Sequence, residues 1–172
     1  MSIARADTVL DLATFDRCSR AELRRATRYS RPTSLMRVEI DRYNSECQRF
    51  GPGFDEAVGR EISALLRCQL REHDLLVRLN EKTFVILLPE TPEKKAVFVA
   101  ERIHAHASDC ALEHAGRPVE IGFNIGVTCC VDREADLEGI LQDAKTALAA
   151  AHRNGGIGRS SATLLAEGQP IR

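Results

Sequence analysis

Net charge is nearly absent: 24 basic residues against 25 acidic ones leave −1, so no overall field draws the chain to nucleic acid or to an anionic membrane. Metal-type cysteine spacing is absent too. The six cysteines, Cys18, Cys47, Cys68, Cys110, Cys129 and Cys130, form no Cys-x-x-Cys pair and no Cys/His cluster, which argues against a zinc site. Cys129 and Cys130 read as the end of a buried strand rather than as a redox pair. No apolar run approaches membrane-spanning length, and the start Met-Ser-Ile-Ala-Arg-Ala-Asp has no long apolar core. These absences predict a soluble, reduced, cytoplasmic chain.

The 44% hydrophobic and 28% charged shares are those of an ordinary globular protein. A length of 172 residues suits one compact α/β domain with a full core and is short for two. Arg17, Arg20, Arg24, Arg25, Arg28 and Arg31 crowd the first helical stretch, where they read as a solvated face partly balanced by Asp16 and Glu22.

Patterning predicts a helix over Phe15–Tyr29, closed by Ser30-Arg31-Pro32, and a strand over Ser34–Ile40 with Met36, Val38 and Ile40 on one face. Phe50-Gly51-Pro52-Gly53 turns into a helix near Asp55–Leu70. Leu75–Leu79 and Phe84–Leu88 make a β-hairpin around Asn80-Glu81-Lys82-Thr83. Pro92 opens a helix with the stripe Ala96, Val99, Ala100, Ile103 and Ala107. Strict alternation from Val119 to Val131 marks a strand. Leu137, Ile140, Leu141, Ala144 and Leu148 mark a last helix, ended by Gly155-Gly156-Ile157-Gly158. The order β-α-β-β-α-β-α predicts one sheet with helices packed on it. The expected division is an N-terminal segment 1–14, a domain 15–160, and a strand or tail 161–172.

Several of these segments, in order, resemble the GGDEF family of bacterial diguanylate cyclases. Glu22-Leu23-Arg24-Arg25-Ala26-Thr27-Arg28-Tyr29-Ser30-Arg31-Pro32 is similar to the family's first helix and its exit, and Val38-Glu39-Ile40-Asp41-Arg42-Tyr43 to its Asp-Ile-Asp strand end. Phe50-Gly51 stands at its Phe-Gly-His turn. Arg78-Leu79-Asn80-Glu81-Lys82-Thr83-Phe84 stands at its Arg-x-Gly-Gly-Asp-Glu-Phe hairpin, followed by Leu87-Leu88-Pro89-Glu90-Thr91. Ala100-Glu101-Arg102-Ile103 and Asn124-Ile125-Gly126-Val127 resemble a later helix and strand. The resemblance covers roughly residues 15 to 160 and implies an α/β (α+β) fold of nucleotidyl-cyclase-palm type, a mostly antiparallel central sheet flanked by helices.

The family's chemistry joins two GTP molecules and needs carboxylates that hold divalent metal, with glycines that let the backbone approach phosphate. Against that pattern the hairpin glycines are Asn80 and Glu81, the metal-binding acid is Lys82 and the next acid is Thr83. Glu39 replaces an aspartate, Cys47 the guanine-reading Asn, and Glu56 its Asp partner; the triphosphate-gripping Lys and Arg correspond to His152 and Gly156. The resemblance therefore implies a degenerate pseudoenzyme, not an enzyme, with no catalytic residue, no cofactor and no catalytic metal. A residual cyclase using Glu39 and Glu81 is a weaker reading, because a shift of one in a strand turns Glu81 to the opposite face.

Arg71-Glu72-His73-Asp74 keeps the spacing of the family's product-binding inhibitory site, with Arg102 at the position of its second arginine. An arginine fork matches guanine O6 and N7, and a carboxylate accepts from N1 and N2. Helical phase, roughly 100° per residue, turns Arg102 out of the core. Alone, Arg-x-x-Asp reads as solvated capping; in register with the hairpin and joined by Arg102, it predicts a non-catalytic cyclic di-GMP receptor and effector. The expected partners are cyclic di-GMP as a stacked dimer, a signalling or motility protein, and a second copy through ligand-linked homodimerisation, with neither nucleic acid nor membrane. The alternative is a nucleotide-independent protein-interaction pseudoenzyme.

Overall fold

A computed structural model describes residues 9–109, 112–130, 136–154 and 156–159. Cys110, Val131, Gly155 and the tail 161–172, for which sequence expectations were given, lie outside the described residues.

Strand β1 (Thr33–Asp41) is the centre of a five-stranded sheet. It pairs antiparallel with β3 (Thr83–Leu88) on one side and β6 (Gly122–Cys130) on the other. Strand β2 (Leu75–Asn80) adds outside β3, and β7 (Ile157–Arg159) runs parallel to β6. The order is β2-β3-β1-β6-β7, a mostly antiparallel sheet as expected. Alternation along β1 divides the core into two layers. Leu35 joins Leu75, Val77, Val85 and Leu87 under α1 (Leu12–Arg28) and α5 (Leu137–Asn154). On the other face Met36, Val38 and Ile40 lie under α2 (Tyr43–Phe50), α3 (Phe54–Cys68) and α4 (Glu93–Asp109).

Several boundaries differ from the sequence expectation. Helix α1 begins at Leu12, not Phe15, because Asp11 caps it by accepting the Thr14 N–H at 2.9 Å. Helix α2 was not expected. It is short and polar, and it buries Tyr43 and, unusually, Glu46, whose Oε2 accepts from Glu120 N at 3.1 Å and Arg49 Nη1 at 3.3 Å. The alternating stretch from Val119 enters the sheet only at Gly122. A two-stranded ribbon, β4 (Glu113–His114) and β5 (Arg117–Pro118), precedes it, with Ala115 and Gly116 both at positive φ in its turn. The arginines of α1 find acids beyond Asp16 and Glu22: Arg20 also pairs with Glu138, and Arg25 and Arg31 with Glu90.

Helix α5 sits unusually close to the sheet. A Cβ placed on Gly126 of β6 would collide with Leu148 N and Ala144 O, and would lie 2.8 Å from Leu148 Cα. A Cβ on Gly158 would collide with Ala147 O and lie 2.6 Å from Ala151 N. Backbone therefore rests on backbone, with Ala144, Ala147 and Ala151 fully buried between them. Gly126→Ala should lower unfolding free energy by about 3 kcal/mol, because backbone atoms cannot swing aside. Gly122→Ala, whose Cβ would meet only Asp41 Cβ at 3.9 Å, should change it by less than about 1 kcal/mol; urea unfolding midpoints check both.

Candidate functional site

The Arg71–Asp74 segment is the tight turn between α3 and β2. Asp74 N–H donates to Arg71 O at 3.1 Å, and Asp74 Oδ2 accepts the Arg71 N–H at 2.7 Å. Asp74 is buried, and its Oδ1 has no hydrogen-bond partner among the described residues. Burial pushes its carboxyl above the usual range; the Arg71 N–H and the nearby charges of His73, Arg71 and Arg67 pull the other way. Arg67, buried at the end of α3, clamps the turn by donating Nη1 to Asp74 O at 2.9 Å and Nη2 to Arg71 O.

The Arg71 side chain is exposed. So is Arg102 on α4, as its helical phase predicts, and its Nη2 donates to Gln69 O at the C-cap of α3. That bond brings a second guanidinium from a separate element to within two residues of Arg71. Arg67 and Gln69 were not singled out from sequence. The available signal was the four-residue spacing between Arg67 and Arg71, one helical turn.

The hairpin lies at the end of the sheet beyond this turn. Asn80 pairs with Thr83 across a two-residue turn, and Asn80 Oδ1 accepts the Lys82 N–H at 3.2 Å. Lys82 O accepts from Ile40 N at 2.9 Å. Thr83 is buried and stands opposite Glu39 in register. Glu39 Oε1 receives Lys82 Nζ at 3.2 Å and lies 3.3 Å from His152 Nε2. A hard divalent cation takes several oxygen ligands. Glu39 with two basic groups upon it is not such a set, and among the described residues no three His, Cys, Asp or Glu side chains cluster as metal ligands. Gly156 N donates to Asn124 Oδ1 at 3.4 Å, and Asn124 stands opposite Glu39 in register.

A groove of about 560 Å³ runs along α3, lined by Glu56, Gly59, Arg60, Ser63 and Arg78 among others. Cys47, on α2, packs partly buried against the core. Asp55, not Glu56, carries the local network: it accepts from the Tyr43 hydroxyl and from Arg78 Nη2 at 2.5 Å. The Tyr43 hydroxyl bond, chiefly, and Arg78 hold the Asp55 carboxyl below its ordinary value against the opposing effect of burial. Burial, then Asp55, pushes the Tyr43 phenol up. Arg78 also donates to Glu81 O at 2.5 Å, tying the groove to the hairpin turn. A Cβ on Gly59 would fall 2.7 Å from Arg78 Cζ, so a side chain there would make the guanidinium shift. These residues were missed because neither Asp55 nor Gly59 belongs to the motif that drew attention to Glu56.

The family model described as "Diguanylate cyclase, GGDEF domain" matches residues 12–157. Probable diguanylate cyclase DgcE of Escherichia coli K12 is 29% identical over 147 residues, 86% of this chain and 13% of DgcE. Diguanylate cyclase DgcP of Pseudomonas aeruginosa is 30% identical over 118 residues, 69% of this chain and 17% of DgcP. The chain thus spans a small part of these curated relatives. Among solved structures, the GGDEF domain of TpbB (YfiN) from Pseudomonas aeruginosa superposes with TM-score 0.81 at 25% identity, covering 90% of this chain and 91% of that one.

These relatives correct one expectation. Asn80-Glu81-Lys82-Thr83-Phe84 led to the reading that the chain is not an enzyme, whereas several curated relatives carry the name diguanylate cyclase. The hairpin describes four positions of a larger site, and the groove that Glu56 lines is present. Among the described residues no helix is long and apolar enough to cross a membrane. A family match running from the start of α1 into β7, on a sheet and helices shared with a solved GGDEF domain, shows that the chain belongs to the GGDEF family.

Proposed function

We propose that this GGDEF domain binds cyclic di-GMP through the Arg71–Asp74 turn together with Arg102. The observation that carries the reading is the bond from Arg102 to Gln69 O, which sets two exposed guanidinium groups from different elements around one turn. A guanidinium has five N–H donors, and one spent on Gln69 leaves the others for guanine or phosphate. Asp74 supports the same reading. Capping the turn uses one of its oxygens, while the other stays buried without a donor, which an ordinary capping aspartate would avoid. Guanine N1 and N2 are donors of the kind it lacks, and they reach the enclosed Oδ1 once the turn opens.

Isothermal titration should show cyclic di-GMP binding that falls about tenfold or more in Arg71→Ala, the scale of a lost charge-assisted hydrogen bond. Undiminished affinity in that variant would sink the proposal. Two copies joined through the ligand, and contact with a signalling protein, extend it. Diguanylate cyclase SiaD has been solved with its activator SiaC, and sedimentation of this chain with and without ligand tests the first extension.

A second reading, formation of cyclic di-GMP from GTP, is favoured by the names of the curated relatives and by the groove that Glu56 lines. Incubation with GTP and magnesium or manganese, followed by chromatography, decides it: dinucleotide above the protein-free control supports the reading, and GTP recovered intact refutes it.

Asp74 also predicts a pH effect of definite sign. Its folded carboxyl titrates above the unfolded one, so the native state holds the proton longer. The penalty is therefore absent below the unfolded pKa, grows as pH rises toward the folded one, and is complete above it. Asp74→Asn should raise the melting temperature at pH 7, lose that advantage in acid below the ordinary aspartate range, and weaken cyclic di-GMP binding. Thermal melts at the two pH values, with titration of the same protein, check all three.

A further inference from the structure

The outer face of α1 carries charge that no other part of the fold uses. Arg20 pairs with Asp16 and Glu138, Arg25 with Glu22 and Glu90, and Arg31, just past the helix, with Glu90. Arg17, Arg24 and Arg28 are exposed and have no acidic partner among the described residues. At roughly 100° per residue, these three and the exposed Ala21 fall within about 60° of one another, opposite the buried Phe15, Ser19 and Leu23. From Arg17 through Ala21 and Arg24 to Arg28 the steps are four, three and four residues, the interval at which two helices meet along a seam. Ala21 leaves room in the middle of the row, so a second helix can lie close between the arginines. At its C-terminal end the row runs into Tyr29, which is 57% exposed, with the Arg28 and Arg31 guanidinium groups 5.5 and 5.8 Å from its ring centre. Arginine and tyrosine are the side chains that protein interfaces concentrate. Lysine, which interfaces avoid, is absent from α1. No other described helix places three acids at the interval of these arginines, so the row finds its complement on another protein rather than on a second copy.

We propose that the outer face of α1 is a docking surface for an acidic helix of a partner protein. Carboxylates of that helix, repeated at three- and four-residue steps, meet Arg17, Arg24 and Arg28 while its backbone crosses at Ala21. From Arg17 to Arg28 the row is about 16 Å long, three turns of helix. A guanidinium forks onto a carboxylate in two parallel bonds, which rewards matched spacing as well as matched charge. The whole chain carries only −1, so the attraction is local to this face. The ion pairs of Arg20 with Glu138 and of Arg25 with Glu90 brace α1 against the rest of the domain, and the row is presented on a fixed helix. The surface lies on the opposite side of the sheet from α4 and its Arg102, and it stands or falls without the cyclic di-GMP reading.

Fluorescence anisotropy with the full chain tests this, using an alanine-based peptide of about 20 residues whose glutamates follow the three- and four-residue steps. A peptide of the same composition, with its glutamates spread evenly around the helix, is the control. The chain should bind the first about tenfold more tightly than the second. Arg17→Glu, Arg24→Glu and Arg28→Glu combined in one variant should abolish that binding and confer binding to the matching lysine peptide. Lys94→Glu with Lys95→Glu, which reverses charge at exposed positions of α4, should leave the affinity within about twofold. Vesicles of phosphatidylcholine with phosphatidylglycerol, and a single-stranded oligonucleotide, are titrated in parallel. Melting curves confirm that each variant is folded, which the exposure of the substituted side chains favours. Equal affinity for the two glutamate peptides, binding to neither, binding unchanged by the triple reversal, or tighter binding to the vesicles or the oligonucleotide overturns the proposal.

Discussion

The close seat of α5 on β6 and β7 is the constraint that most of the molecule depends on. Gly126 and Gly158 let helix backbone lie directly against strand backbone, and Ala144, Ala147 and Ala151 keep the gap closed. Because β6 pairs with β1 along its whole length, that seat also fixes α5 relative to the central strand. His152, one residue past the last of those alanines, is thereby delivered to Glu39 on β1. The geometry of the sheet end thus depends on two missing side chains, that of Gly126, close along β6 to the Asn124 that stands opposite Glu39, and that of Gly158, shortly after His152.

The other end of the domain is organised by hydrogen bonds to carbonyls rather than by packing. Arg67 spends its guanidinium on Asp74 O and Arg71 O, and Arg102 spends part of its own on Gln69 O. A turn stapled in this way can hold an under-satisfied buried carboxylate, because the backbone around Asp74 is fixed by charge-assisted bonds from outside it. Burial works against the Asp74 carboxylate, and the nearby arginines offset part of that cost.

Much of this was legible in the chain. Alternation in Met36, Val38 and Ile40 and helical phase in Ala96, Ala100 and Ile103 identify buried faces, and Arg102, turned out of the core as its phase implies, reaches Gln69 O. Helix α2 was not legible: its eight residues bury an acid, Glu46, in the position where a hydrophobic side chain would signal a helix. The late start of β6 was hidden because Val119 and Ile121 continue the alternation through a segment outside the sheet. Asp55, Gly59 and Arg78 escaped for a different reason. Their partnership joins two elements, α3 and β2, and no local pattern in α3 shows that an arginine from β2 packs against Gly59.

The hairpin shows how far a motif can be pressed. Lys82 in place of an acid states which charge stands against Glu39, a local electrostatic fact that the 3.2 Å contact records. It does not state what the whole domain does with a nucleotide, since the groove, the Asp55–Arg78 clasp and the Arg71 turn are built by other residues. The reading of lost activity rested on the hairpin together with Cys47, Glu56, His152 and Gly156, and the curated relatives named diguanylate cyclase overturn it. The sounder inference from a changed charge is a changed partner. Where a carboxylate would recruit a cation from solvent, an ammonium already is one, and Glu39 is the anion it meets.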